Sequence, residues 1–210
     1  MNQQSIEHLR KSDRVLRRIV DRVGDCELVP RRRRTPFESL AMAIAHQQLN
    51  GTAANTILSR FRGLFPGVRF PAPADLGRVT DEQLRGVGFS RAKVAAIRDL
   101  AEKTLDGTVP PNRVLSRLDD EEIVQRLTQV RGIGRWTVEM LLIFQLGRPD
   151  VLPADDFGIR NGFRLAFRLD ELPARKQLLE HGERWRPFRT TAAWYLWRAV
   201  DLLARLPPGK

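Results

Sequence analysis

The sequence predicts an all-α fold. Apolar residues recur at intervals of three and four along most of the 210-residue chain, and this spacing places them on one face of a helix. The alternation of apolar and polar residues that marks a half-buried strand is essentially absent. Glycines, prolines and residues that cap helices separate the periodic stretches from one another, as expected for a series of helices joined by turns.

The N-terminal region is predicted to form one helix over residues 5–23. Its apolar stripe consists of Leu9, Val15, Leu16, Ile19, Val20 and Val23. Gly24 and Pro30 close this region. Residues 31–34 are consecutive arginines, and this basic run is compatible either with a solvated loop or with a contact to phosphate.

The helix after this run is predicted from its start signals. Thr35 is placed as the N-cap and Pro36 at the first helical position, with Glu38 closing a capping box. A polar corner, Gln47-Gln48-Leu49-Asn50, follows, and a second helix restarts at Gly51. Polar residues at such a corner commonly cap helices, and the alternative is a corner that inserts a side chain into a duplex.

The remaining helices are predicted from residues that cap or interrupt them. Starts are placed at the capping box from Thr80 to Gln83, at Ser90 for a helix through about Leu105, at Asp119 or Asp120, at Asp155-Asp156, at Pro173, and at Arg189 for a helix to about Arg205. A further helix is predicted over residues 135–146, and because it is almost entirely apolar from Met140 to Leu146, it is expected to be central and buried.

The composition favours a polyanionic partner. The net charge is +11, from 36 Lys and Arg against 25 Asp and Glu, which favours nucleic acid over a membrane surface. The alternative is a protein of high pI whose basic surface is merely solvated. The single cysteine, Cys26, excludes a disulfide framework, a Cys-based zinc site and a cysteine-ligated iron–sulfur cluster. Since no signal sequence or long apolar span is found, a cytoplasmic protein is expected by default.

The turn Gly132-Ile133-Gly134 is the first candidate for a DNA contact. Two glycines permit a positive φ and leave space for a phosphate. The helix that follows at once directs its N–H groups and the positive end of its dipole to the same place. Such a hairpin holds a strand by its backbone without reading the base sequence.

Asp155 and Asp156 are the candidate carboxylates. An aspartate at a helix start is commonly a cap, but in an adjacent pair one residue can cap while the other faces a cleft. Aromatic residues accompany them in the sequence: Trp136, Phe157, Trp185, Phe188, Trp194, Tyr195 and Trp197. Most such rings belong to a core, but a few around a carboxylate would form a pocket that stacks a planar, cationic ring.

Several of these motifs together resemble the helix-hairpin-helix DNA glycosylases, in particular the branch of alkylbase (3-methyladenine) glycosylase II. The motifs are Val130-Arg-Gly-Ile-Gly-Arg-Trp-Thr, its spacing to Pro153-Ala-Asp-Asp, the corner Gln47-Gln48-Leu49, the run Ser90-Arg91-Ala92-Lys93, and Trp185-Arg-Pro-Phe-Arg, within residues 35–200. The resemblance implies a helix-hairpin-helix glycosylase fold with an active-site cleft between two helical lobes. Residues 1–34 and 150–210 would form one lobe, and residues 35–149 the other, ending in the helix-hairpin-helix of residues 120–147, with no separate β domain.

The resemblance also assigns roles to particular residues. It makes Asp156 the catalytic carboxylate, with Asp155 expected to cap the helix or to support Asp156. It places the base pocket at Trp136, Met140, Phe157 and Trp197, the DNA-backbone contacts at Arg131, Gly132, Ile133, Gly134 and Arg135, and the duplex wedge at Gln48 or Leu49. Met140 stands where an aromatic residue is expected. No cofactor and no metal are implied, apart from a monovalent cation that the hairpin would accommodate.

The implied activity follows from the residues after the hairpin. Relatives that also cut the strand carry a lysine there, and here Arg135-Trp136 occupy that place. The resemblance therefore implies a monofunctional DNA glycosylase of base excision repair, which flips out alkylated bases such as 3-methyladenine and 7-methylguanine and hydrolyses them off to leave an abasic site. Double-stranded DNA with alkylated bases is the expected partner of a monomer that acts at the nucleoid and binds no membrane. Two alternatives remain, a non-catalytic helix-hairpin-helix DNA-binding protein and a glycosylase/lyase for oxidised or mismatched bases.

Overall fold

A computed structural model describes residues 3–203, and this part of the chain contains helices and no strands, which confirms the all-α prediction. Its α-helices are α1 (Gln3–Ser12), α2 (Arg14–Val23), α3 (Pro36–His46), α4 (Gly51–Gly63), α5 (Asp81–Gly86), α6 (Arg91–Leu105), α7 (Asn112–Leu115), α8 (Asp120–Leu127), α9 (Arg135–Leu141), α10 (Phe157–Phe167), α11 (Arg175–Gly182) and α12 (Arg189–Leu203). Short 3-10 helices cover Pro73–Arg78 and Glu183–Trp185. The predicted end of the last helix at Arg205 lies outside the described residues.

The chain forms two compact units. One comprises Met1–Pro30 and Leu142–Lys210, and the other comprises Arg31–Leu141. The second unit contains α3 to α9, and the first contains α1, α2 and α10 to α12. The predicted lobes, with borders at residues 34/35 and 149/150, stay a prediction.

The predicted helix starts of the second unit are confirmed at their caps. Thr80 accepts from the Gln83 N–H while the Gln83 side chain accepts from the Thr80 N–H, so both halves of the capping box form. Ser90 caps α6, and Asp119, rather than Asp120, caps α8. Since each cap satisfies an N–H that the helix itself leaves without a partner, local sequence decides these starts.

The capping box predicted at Glu38 is wrong. Thr35 does accept from the Glu38 N–H, at 3.1 Å. The Glu38 carboxylate is buried, however, and pairs with Arg69 at 2.6 Å and with Arg34 at 3.8 Å. A buried carboxylate requires a charged partner, and Arg69, far along the chain, supplies it in place of the local N–H.

The single helix predicted over residues 5–23 is also wrong, because Asp13 separates α1 from α2. Its backbone is extended (φ −146°, ψ 112°), and its Oδ1 accepts from the N–H groups of Val15 and Leu16. Its Oδ2 accepts from the Trp185 indole and contacts His181 Nε2, each at 2.9 Å. The carboxylate is buried, and these four contacts outweigh the continuation of the helix.

The helix predicted over residues 135–146 changes form within that range. α9 ends at Leu141, and Leu142–Leu146 is π-helical. Leu142 and Ile143 are buried as predicted, but Phe144 is 38% exposed, so the prediction of complete burial fails there. The predicted end of α6 at Leu105 is confirmed, and the side chain of this residue is 65% exposed.

Two glycines let α10 approach α12 closely. A Cβ on Gly162 would lie 2.0 Å from the carbonyl oxygen of Leu196, and a Cβ on Gly158 would lie 2.9 Å from the Trp197 ring. Glycine at position 162 is required for the backbones of the two helices to lie this close, and glycine at position 158 leaves room for the Trp197 ring. The approach brings Trp197 on α12 next to Asp156, the N-cap residue of α10.

Between residues 3 and 203, no helix has both the length and the apolar character that spanning a bilayer requires.

Candidate active site

The hairpin turn lies between α8 and α9, as predicted. Gly132 has a φ of +78°, and a Cβ placed on it would come within 3.7 Å of the Ala96 side chain on α6. Arg131, Gly132 and Gly134 are exposed. Ile133 is buried, and its N–H donates to Val130 O at 3.0 Å, so this residue packs the turn from inside.

The two arginines of the hairpin are tied to neighbouring helices. The Arg131 N–H donates to Asp99 Oδ2 on α6 at 2.6 Å. Arg135 Nη2 donates to Glu121 Oε1 on α8 at 2.6 Å, and this hydrogen bond lowers the pKa of Glu121. The hairpin is therefore fastened at both ends, and its exposed backbone has a defined shape.

The corner between α3 and α4 presents two exposed side chains. Gln48 has a φ of +57°, in the left-handed region that a glutamine rarely adopts, and Leu49 is 39% exposed. Asn50 caps α4 by accepting from the Ala53 N–H at 2.9 Å. The capping alternative thus applies to Asn50, and the wedge role of Gln48 and Leu49 stays a prediction.

A cavity of about 810 Å³ lies beside this corner within the Arg31–Leu141 unit. Its lining includes Gln48 from the corner, Arg131 and Gly132 from the hairpin, and Trp136 and Met140 from α9. Trp136 is 48% exposed. The structure therefore brings two predicted pocket residues together with part of the predicted backbone-contact surface.

Asp156 occupies the other unit, where it caps α10. Its Oδ1 accepts from the Ile159 N–H at 2.8 Å and from the Trp197 indole Nε1–H at 2.9 Å. Asp155, for which a cap or a support of Asp156 was expected, is exposed and pairs with Arg175 at 3.1 Å. The expected cap is wrong because the Asp156 carboxylate is the one that reaches the first turn of α10.

An aromatic stack adjoins this carboxylate. The rings of Phe144 and Trp197 stack, with centroids 5.6 Å apart and planes at 25°. Phe157, the residue after Asp156, is 67% exposed. Phe144 was missed from the sequence because its surroundings predicted burial, and only the π-helical stretch places it against Trp197. Asp156 and Trp197 are thus brought together as predicted, with Phe144 added.

The loop before Asp156 is fastened to the start of α12. Arg189 binds the Asp150 carboxylate in a bidentate manner, at 2.8 and 3.0 Å. Thr190 Oγ1 accepts from the Val151 N–H at 2.9 Å and donates to Arg148 O at 2.7 Å. Two sets of contacts from α12 therefore position Asp156: those that hold the preceding loop, and the hydrogen bond from the Trp197 indole.

Two other aromatics named from the sequence belong to the core. Trp185 and Tyr195 are fully buried. The Trp185 indole donates to Asp13, and the Tyr195 hydroxyl donates to Gly24 O at 2.8 Å. Their rings pack α10, α11 and α12 against the first two helices and take no part in the candidate site.

Comparison with known proteins places this helical chain in a family. Residues 41–187 match the HhH-GPD superfamily of base excision DNA repair proteins, and the chain belongs to this superfamily. It is 44% identical to DNA-3-methyladenine glycosylase 1 of Schizosaccharomyces pombe over 93% of this chain and 86% of that protein.

Solved structures show the same similarity. The S. pombe 3-methyladenine DNA glycosylase Mag1 in complex with abasic DNA superimposes with a TM-score of 0.84 at 42% identity, covering 97% of this chain and 100% of that one. The DNA-3-methyladenine glycosidase of Bacillus halodurans superimposes with a TM-score of 0.87 at 34% identity, covering 95% and 90% of the two chains.

Proposed function

We propose that this protein is a monofunctional DNA glycosylase that hydrolyses alkylated bases, such as 3-methyladenine and 7-methylguanine, from double-stranded DNA. The observation that carries the proposal is the Asp156 carboxylate, held by two N–H donors beside the stacked rings of Phe144 and Trp197. The similarity to 3-methyladenine glycosylases over most of the chain supports the choice of substrate class.

The hairpin supplies the sequence-independent part of DNA binding. We assign the phosphate contacts to Arg131, Gly132, Ile133, Gly134 and Arg135, with the α9 N-terminus oriented by the same turn. The net charge of +11 adds a long-range attraction to the duplex. The exposed Gln48 and Leu49 are assigned as the wedge that fills the gap left by the flipped nucleotide.

The pocket is assigned mainly to aromatic side chains because the substrate base carries positive charge. Trp136, Met140, Phe157 and Trp197 are the proposed pocket residues, and aromatic faces attract a cationic ring. An alkylated purine of this kind is already a good leaving group, so little general acid is required. One carboxylate is then sufficient, although glycoside hydrolysis generally uses two.

The proposed role of Asp156 is electrostatic. As the C1′–N bond breaks, the sugar gains oxocarbenium character, and the fixed carboxylate stabilises that charge and orients the attacking water. Its orientation is set before the reaction by Ile159 and Trp197, so no reorganisation is needed when the charge develops.

Substitution of Asp156 by Asn tests the assignment. Asn remains a good N-cap, so α10 should form normally while the negative charge is lost. We expect single-turnover base release from methylated duplex to fall by about 10²–10³-fold, the scale of losing a preorganised electrostatic contact. The matched control is Asp155→Asn, which removes the neighbouring charge from an exposed pair with Arg175 and should release bases at nearly the wild-type rate.

Equal activity in wild type and Asp156→Asn contradicts the proposed role of this carboxylate. If the wild type binds duplex but releases no base from a panel of lesion oligonucleotides, assayed by alkaline cleavage of abasic sites, the protein is a DNA-binding module instead. The same panel defines the lesion range.

Borohydride trapping distinguishes a monofunctional glycosylase from a glycosylase/lyase. A lyase forms a Schiff base between a lysine and the abasic sugar, and Arg135-Trp136 stand where that lysine is expected. We expect no covalent protein–DNA adduct after incubation with abasic duplex and borohydride. A trapped adduct would reassign the protein as a glycosylase/lyase.

A further inference from the structure

Helix α6 makes a direct contact with each of the two elements that the proposed function places on DNA. Lys93, in its first turn, donates from Nζ to the carbonyl oxygens of Ala45 and Gln47, each at 2.8 Å. Asp99, further along the same helix, accepts from the Arg131 N–H at 2.6 Å. The first contact holds the end of α3, and the second holds the hairpin.

The Lys93 contact lies at the point where the chain leaves α3. The last carbonyls of a helix have no partners within the helix and carry the negative end of its dipole, so an ammonium group is well suited to bind them. Gln47, whose carbonyl is bound, precedes Gln48, which adopts a φ of +57°. The ammonium is partly desolvated, and this lowers the pKa of Lys93.

A third contact joins the corner to the hairpin directly. Gln47 Nε2 donates to Gly132 O at 2.8 Å, across a separation of 85 residues. The Gly132 backbone also lies against Ala96 of α6, where an added Cβ would be 3.7 Å away. Corner, hairpin and α6 therefore form one connected frame around the 810 Å³ cavity, which Gln47, Lys93 and Gly132 all line.

We infer that Lys93 and Gln47 are positioning residues that hold the Gln48-Leu49 wedge at a set distance from the phosphate-binding hairpin. This inference rests on the proposed function. A bound phosphate then fixes where the wedge enters the duplex, so that backbone binding and base extrusion act on the same nucleotide. Neither side chain needs to touch DNA for this role, since both act through backbone carbonyls.

A merely structural role makes a different prediction. If Lys93 only caps α3, its loss lowers stability and leaves the folded protein fully able to open a duplex. If it positions the wedge, the folded variant still binds DNA through the hairpin but opens it poorly. The distinguishing readout is therefore duplex opening at saturating protein, separate from affinity and from thermal stability.

The test uses Lys93→Met and Gln47→Met, which keep side-chain length and remove the donors. 2-Aminopurine placed next to a tetrahydrofuran abasic site reports unstacking by its fluorescence, without any base release. We expect both variants to bind undamaged duplex within about threefold of wild type, but to lose most of the fluorescence rise. Base release at saturating protein should fall by about 10–100-fold, the scale of a misplacement of about 1 Å.

Two controls accompany these variants. Lys176→Met removes one lysine charge from an exposed pair with Glu180 on α11 and should behave as wild type in both assays. Lys93→Arg retains a cation that can donate to two carbonyls, and it should recover much of the fluorescence rise that Lys93→Met loses. If Lys93→Met does not fold, Gln47→Met and Lys93→Arg still decide the question.

The two proposals fail in different ways. A wild type that unstacks 2-aminopurine but releases no base contradicts the glycosylase function and leaves the inference standing. Wild-type fluorescence in both methionine variants overturns the inference, whatever the rate of base release, as does a wild type that produces no unstacking.

Discussion

Substitution of Gly162 by Ala tests whether the close approach of α10 and α12 orients the candidate carboxylate. The added Cβ would lie 2.0 Å from the Leu196 carbonyl oxygen and 2.8 Å from its carbon. Both atoms are backbone, so no side chain can rotate away. The helices must separate by about 1 Å before the contact becomes tolerable, and overpacking of this severity costs about 3 kcal/mol.

The separation also breaks the contact that orients Asp156. Trp197 follows Leu196 directly, and its Nε1 lies 2.9 Å from Asp156 Oδ1. A shift of about 1 Å takes this pair out of hydrogen-bond range. For a chain of this size, a loss of about 3 kcal/mol lowers the Tm by roughly 6–12 °C. Base release by the folded fraction should fall by about 10²-fold.

Thermal unfolding followed by circular dichroism and single-turnover base release on methylated duplex, below the Tm of the variant, measure the two effects. Gly63→Ala is the matched control, because it also lies in a helix and an added Cβ there meets nothing within 4 Å. A Gly162→Ala protein as stable and as active as Gly63→Ala would refute the reasoning from helix spacing.

Two further predictions concern hydrogen bonds to carboxylates. Trp197→Phe keeps an aromatic ring but removes the donor to Asp156. Base release should fall by about 10–100-fold, which is equivalent to the loss of one charged hydrogen bond. A rate within about twofold of wild type would show that the indole N–H does not position the carboxylate. Asp13→Asn turns an amide N–H toward the donors of Trp185 and His181 and should cost about 1–3 kcal/mol of unfolding free energy. Burial raises the pKa of Asp13, but the hydrogen bonds outweigh this effect and leave the pKa below its ordinary value. The difference in stability between wild type and Asp13→Asn is therefore fully present above the unfolded-state pKa of about 4. It shrinks as the pH falls through the folded-state pKa. Urea unfolding from pH 3 to pH 7 checks this, and a difference that grows on acidification would contradict it.

Local sequence was sufficient wherever the deciding contact is local. The capping box at Thr80, the cap at Ser90 and the positive φ of Gly132 each depend on residues within a few positions, and all were predicted. The pairing of Asp156 with Trp197 was anticipated only through the resemblance to glycosylases, since 41 residues separate the two side chains.

The predictions that failed depend on contacts between residues that lie far apart in the sequence. Asp13 interrupts the first helix because its carboxylate has partners 168 and 172 residues away, and a local pattern contains no sign of them. Glu38 leaves its capping box for Arg69, 31 residues away. The requirement for glycine at position 162 comes from a backbone oxygen on another helix, and the periodicity of α10 is the same with or without it.

The contacts that hold the proposed wedge and hairpin also join residues that lie far apart in the sequence. Gln47 and Lys93 were noticed in the sequence as parts of family motifs, but their hydrogen bonds to the hairpin and to α3 emerge only from the folded chain. Phe144 was misplaced because an apolar run predicts burial equally along its whole length, whereas the π-helical stretch exposes this ring.

The double use of Asp156 has an evolutionary consequence. The same carboxylate oxygen caps α10 and accepts from Trp197, so the residue proposed for chemistry also maintains the architecture. Asparagine caps a helix as well as aspartate does. A single exchange at this position would therefore remove the proposed catalytic charge while the cap, and with it the start of α10, is kept.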